Sequence, residues 1–110
     1  MKAQMKARMK APMNTMSNHE LKALRDLRNR IDRIDLKILN LINQRLETGK
    51  KIGRIKNETG AHIIDDIREY DLIERLSGLN KGPADDQLVK DVFDALIKAN
   101  RGIQETDLRD

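Results

Sequence analysis

Arg45, Gly49, Gly53 and Lys56 follow one another at spacings of four, four and three residues, which stacks them on one side of a helix. Two cations then bracket a stretch with no side chains. Such a face can form a cleft for a small dianion, because guanidinium and ammonium groups give charge-assisted hydrogen bonds to carboxylates while glycines leave room against the helix. The same glycines would equally serve close helix packing, with both cations solvated. Each glycine costs roughly 1 kcal/mol in a helix interior, so each needs a reason to be there.

Other chemistries have little to work with. The chain has no cysteine, which removes thiol chemistry. His19 and His62 are not near each other or near a carboxylate at a metal-ligand spacing, so neither a metal nor a cofactor is expected. A chain of 110 residues supports one domain, and two prolines with only Tyr70 and Phe93 as aromatics point to a helical, cytoplasmic protein. No apolar run is long enough to cross a membrane. Lys2, Lys6, Arg8 and Lys10 precede the first acidic residue, Glu20; with those four set aside, the remaining 18 of the 22 Lys and Arg balance the 18 Asp and Glu. The domain is therefore neutral, and without a basic stripe or stacking aromatics nucleic acid is not an expected partner.

The elements that must position the cationic face are all helical. Residues 1–16 repeat a Met-Lys-Ala unit and hold all five methionines, which reads as a disordered basic tail before a domain over 17–110. Ser17 and Glu20 form a capping box. From there Leu24, Ile31, Ile38 and Ile52 share one seven-residue register and Leu27, Ile34, Leu41 and Ile55 the complementary one, with a stop at Thr59-Gly60. Arg45 takes a slot in the first register that calls for an apolar residue, so it should hold an anion or a carboxylate partner. A helix of about 40 residues is roughly 60 Å long, against a radius of gyration near 13 Å for a compact chain of this size. Its own chain cannot bury it.

Two shorter helices follow. One starts near Asp65 and ends around Leu79, and the other starts after Asn80-Lys81-Gly82-Pro83. The last carries Leu88, Val92, Leu96 and Ile103 on one stripe with Val89, Phe93 and Ile97 beside it, and Asn100 and Gln104 continue the apolar stripe. The expected fold is all-α: three helices per chain, one very long, in an intertwined homodimer. Arg28 lies about 42 Å from Lys56 along an unbroken helix, so it can reach the same small ligand only across an antiparallel dimer.

These residues carry a resemblance. The stretches LRDLRNRIDRIDLKILNLINQR, KIGRIK, DDIRE and IKANRGIQ, in that order between Leu21 and Gln104, resemble the all-α, type II class of chorismate mutases. The resemblance implies an isomerase that converts chorismate to prephenate by a [3,3]-sigmatropic (Claisen) rearrangement in phenylalanine and tyrosine biosynthesis. That concerted step breaks an ether C–O bond as a C–C bond forms and needs no nucleophile, metal or proton transfer. The work is to hold the diaxial conformer of a flexible dianion and to stabilise charge growing on the ether oxygen.

By the same resemblance, the partner subunit's Arg28 and Arg45 would bind substrate carboxylates, and Arg68 would add to the cationic surround. Lys56 and Gln104 would donate to the ether oxygen. Glu69 would accept from the ring hydroxyl, and Asp65 would shape the adjoining helix start, where it would also serve as an ordinary N-cap. The family usually has a small hydroxyl residue where this chain has Asn100, which can still donate to a carboxylate but whose larger amide alters the fit. Gly102 weakens the helix just before Gln104.

Two alternatives differ in class. An isochorismate pyruvate-lyase uses the same scaffold and similar cations; Glu69, as acceptor for a ring hydroxyl, favours the mutase. A non-catalytic regulatory helical dimer would have no evident need for Arg45 in an apolar register or for Asn100 and Gln104 on an apolar stripe. A complex in trans with another enzyme of aromatic biosynthesis stays open.

Overall fold

The computed structural model describes residues 15–60 and 65–109, with side chains up to residue 105. Of the tail expected over residues 1–16, residues 1–14 lie outside the described residues, as does His62 after Gly60. The described chain is three helices, α1 (Asn18–Thr59), α2 (Asp66–Leu79) and α3 (Asp86–Arg109), in agreement with the all-α expectation. Contacts divide it into two compact units, Met1–Ile38 and Leu39–Asp110.

Each helix begins where its cap residue dictates. At α1 the Glu20 amide donates to Ser17 Oγ at 3.0 Å and the Ser17 amide donates to Glu20 Oε1 at 3.3 Å, the reciprocal capping box. The helix stops at Gly60, whose φ of 74° lies in the left-handed region that a side chain would resist. At α2 the Arg68 amide donates to Asp65 Oδ1 at 3.0 Å, and Asp66 and Glu69 place negative charge against the first-turn amides. The turn after α2 closes as Gly82 N–H donates to Asn80 Oδ1 at 3.1 Å. Asp85 then caps α3 by accepting from the Leu88 amide at 2.8 Å.

The apolar side chains are poorly covered. No hydrophobic side chain among the described residues is buried. In the first unit Leu27, Ile31, Ile34 and Ile38 of α1 are about half exposed. In the second unit α2 packs on α3, with Leu72, Ile73 and Leu76 of α2 and Val89, Phe93, Leu96 and Ile97 of α3 half-buried. Leu41, Ile52 and Ile55 of α1, by contrast, are 41–61% exposed. Among the described residues, the heptad face of the long helix is not buried.

Candidate active site

The second unit builds its site where α3 lies against α1. Gly49 and Gly53 are the buried residues of α1, and each faces a polar residue of α3. A Cβ at Gly49 would come within 2.9 Å of Asn100 Cγ. One at Gly53 would meet Gln104 Cγ at 2.8 Å, its Cβ at 3.0 Å and its Cα at 3.4 Å. The glycines therefore make room chiefly for α3. Close helix packing is seen at both glycines and brings the two amides to the cationic face, while Gly49 also lines the cavity described below and Arg45 and Lys56 are half-buried, not solvated.

Arg45 is held from both sides. Its Nη1 donates to Asn100 Oδ1 and to the Leu96 carbonyl at 3.4 Å, while Asn100 Nδ2 donates back to the Arg45 carbonyl at 3.2 Å. Of the chain's own groups, neutral acceptors meet Arg45 at this level, an amide oxygen and a backbone carbonyl on the facing stripe of α3. Burial, and then the nearby Arg68 guanidinium, push Arg45 below the usual arginine pKa. Both causes penalise its charge, and an anionic ligand would relieve both.

A cavity of about 420 Å³ opens between these helices and α2, within the range of small-molecule sites. Seven of the eight residues expected at the site line it: Arg45, Lys56, Asp65, Arg68, Glu69, Asn100 and Gln104. Lys56 and Glu69 are half-buried and Asn100 and Gln104 are each 8% exposed, whereas Asp65 and Arg68 are exposed. Arg28 lies in the first unit and does not line the cavity. Leu41, Ile52, Leu72 and Ile97 supply the apolar wall and Gln44 and Thr48 further polar groups.

Arg101 was missed. Its Nη2 donates to both Glu69 oxygens, at 2.7 and 2.8 Å, from a position beside the cavity that it also lines. The signal was available: Ile97, Asn100, Arg101 and Gln104 follow the helical repeat that places Asn100 and Gln104 together. With Arg101 counted, four cationic side chains face two carboxylates in the lining. The excess of two positive charges matches a dianion. Among the described residues no group of three or more His, Cys, Asp or Glu is placed to hold a metal ion, and no helix is long and apolar enough to cross a membrane.

The sequence profile of a family described as chorismate mutase type II matches residues 27–105. A chorismate mutase of Methanocaldococcus jannaschii is 35% identical over 86 residues, covering 77% of this chain and 87% of that protein. A bifunctional chorismate mutase/prephenate dehydratase of Aquifex aeolicus is 41% identical over 61 residues, or 56% of this chain; the match spans only 17% of that longer protein. Among solved structures, chorismate mutase (form II) from Thermus thermophilus superposes with a TM-score of 0.74 at 30% identity, over 76% of this chain and 94% of that one.

Proposed function

The chain belongs to the type II chorismate mutase family, and from that premise we propose that it isomerises chorismate to prephenate in the cavity walled by α1, α2 and α3. The observation that carries this reading is the convergence of Arg45, Lys56 and Gln104 on one small cavity with an excess of two positive charges. The reaction is unimolecular, so the protein contributes pre-organisation and electrostatics. Arg45, already oriented by Asn100 and the Leu96 carbonyl, takes a substrate carboxylate. Its guanidinium has five N–H donors, and these bonds engage only those on Nη1. Arg68 adds positive charge at the α2 end, where Asp65 fixes the first turn. Asn100 has a second amide hydrogen to offer the ring carboxylate.

Lys56 and Gln104 donate to the ether oxygen as its bond to carbon breaks. Glu69 accepts from the ring hydroxyl and so favours the diaxial conformer. In the proposed complete site, a second copy of the chain supplies Arg28. The half-exposed heptad positions of α1, from Leu27 to Ile55, support that homodimer, since burying the exposed half of one such side chain is worth roughly 1 kcal/mol. Cytoplasmic residence and a place in phenylalanine and tyrosine biosynthesis belong to the same proposal.

The lyase alternative is separated by substrate. Purified protein given isochorismate is expected to release no pyruvate above the buffer rate, while the same preparation consumes chorismate. Pyruvate release with chorismate untouched would reverse the assignment.

Gly53 provides a second check, because its contacts link packing to chemistry. Gly53→Ala gains roughly 1 kcal/mol of helix propensity, yet its methyl group must displace the base of Gln104, which cannot swing aside as a side-chain tip would. The expected result is a melting temperature within a few degrees of wild type and a kcat lower by about 10-fold or more, since a 1 Å misplacement can cost 10²-fold. An unchanged kcat would show that Gln104 does not act from this position.

A further inference from the structure

The resemblance assigned Arg101 no role, yet it donates to both oxygens of the Glu69 carboxylate. The pair bridges α3 and α2 with side chains only 30% and 26% exposed, whereas the helical surface pair Lys22–Asp26 is 73% and 59% exposed. Solvent screens the first far less than the second. Arg101 Nε is buried and has no hydrogen-bond partner, an arrangement that leaves one donor unsatisfied. The side chain is thus placed to serve the Glu69 contact in preference to its own full complement of bonds.

Glu69 shares the cavity with Arg45, Lys56 and Arg68. A carboxylate free to turn would fold towards one of these cations and compete with the substrate for it. One tethered through both oxygens by Arg101 is kept on the α3 side, and each oxygen retains a further lone pair to accept a hydroxyl proton. We propose that Arg101 is a positioning residue for the rearrangement, holding the Glu69 carboxylate where it accepts from the ring hydroxyl and away from the cations that bind the substrate carboxylates. The proposal rests on the mutase reading of this same cavity.

A double-mutant cycle on the full chain tests it, with Arg101→Gln, Glu69→Ala and the double variant assayed on chorismate and helical content followed by circular dichroism. Arg101→Gln alone is expected to lower kcat/KM by about 10- to 100-fold, and Arg101→Lys to recover a good part of that loss through its retained charge. In the Glu69→Ala background the effect of Arg101→Gln should shrink to about threefold or less, because no carboxylate remains to be positioned. An equal loss in both backgrounds would overturn the proposal by showing that Arg101 acts independently of Glu69, and so would a wild-type rate for Arg101→Gln. Should Arg101→Gln lose helical content, the same cycle run with Arg101→Met, which keeps the aliphatic stem but not the charge, decides between these outcomes. Inactivity of the unmutated chain on chorismate would instead sink the mutase reading, and this proposal with it.

Discussion

Lys56→Ala is expected to lower kcat on chorismate by about 10²–10³-fold while KM stays within a few-fold of wild type. The asymmetry follows from where charge develops. The ether oxygen gains negative charge only as the C–O bond stretches, so a donor aimed at it interacts more strongly with the transition state than with the bound substrate. Three features support Lys56 in that proposed role: it is half-buried, lines the cavity, and stands less than one turn beyond Gly53, where Gln104 crosses α1. Steady-state kinetics of the purified variant check it. A raised KM with unchanged kcat would move Lys56 from the ether oxygen to a substrate carboxylate.

The second large effect concerns Arg28, which lies outside the cavity lining of its own chain. In the proposed dimeric site Arg28→Ala would remove a charge-assisted bond to a carboxylate, an expected loss of roughly 1.5–3 kcal/mol or about 10- to 150-fold in kcat/KM. The informative experiment mixes Arg28→Ala chains with Lys56→Ala chains by refolding them together. If each site takes Lys56 from one chain and Arg28 from the other, half of the dimers are mixed and each mixed dimer holds one complete site. Activity should then recover to about a quarter of the wild-type value. No recovery above the parents would mean that Arg28 serves its own chain or that the chain does not pair.

The parts of the structure fixed by local chemistry were legible in the sequence. The capping box at Ser17 and Glu20, the stop at Gly60 and the Asp65 cap each depend on residues within one turn of each other, and all three are observed. Helical spacing also brought Arg45 and Lys56 to one face, and the resemblance extended that set to Asp65, Arg68, Glu69, Asn100 and Gln104, which line the same cavity. What was not legible is what the polar groups do to one another across helices. Arg45 in an apolar register called for an anion or a carboxylate partner, and the depth at which α3 crosses Gly49 was needed to see that an amide and a carbonyl of the chain also meet it. Arg101 shares the helical repeat of Asn100 and Gln104, but its pairing with Glu69 shows only once α2 and α3 are packed and the two come within 2.7 Å. The glycines allowed two readings for the same reason: only the partner helix shows whether the missing side chains admit a ligand or a neighbour.

The most direct test of the account is the fate of chorismate itself. Purified wild-type chain is incubated with chorismate, its loss is followed by ultraviolet absorbance, and the product is separated and identified. The account predicts prephenate formed in step with chorismate consumed. Chorismate left intact by a folded, helical protein would contradict it.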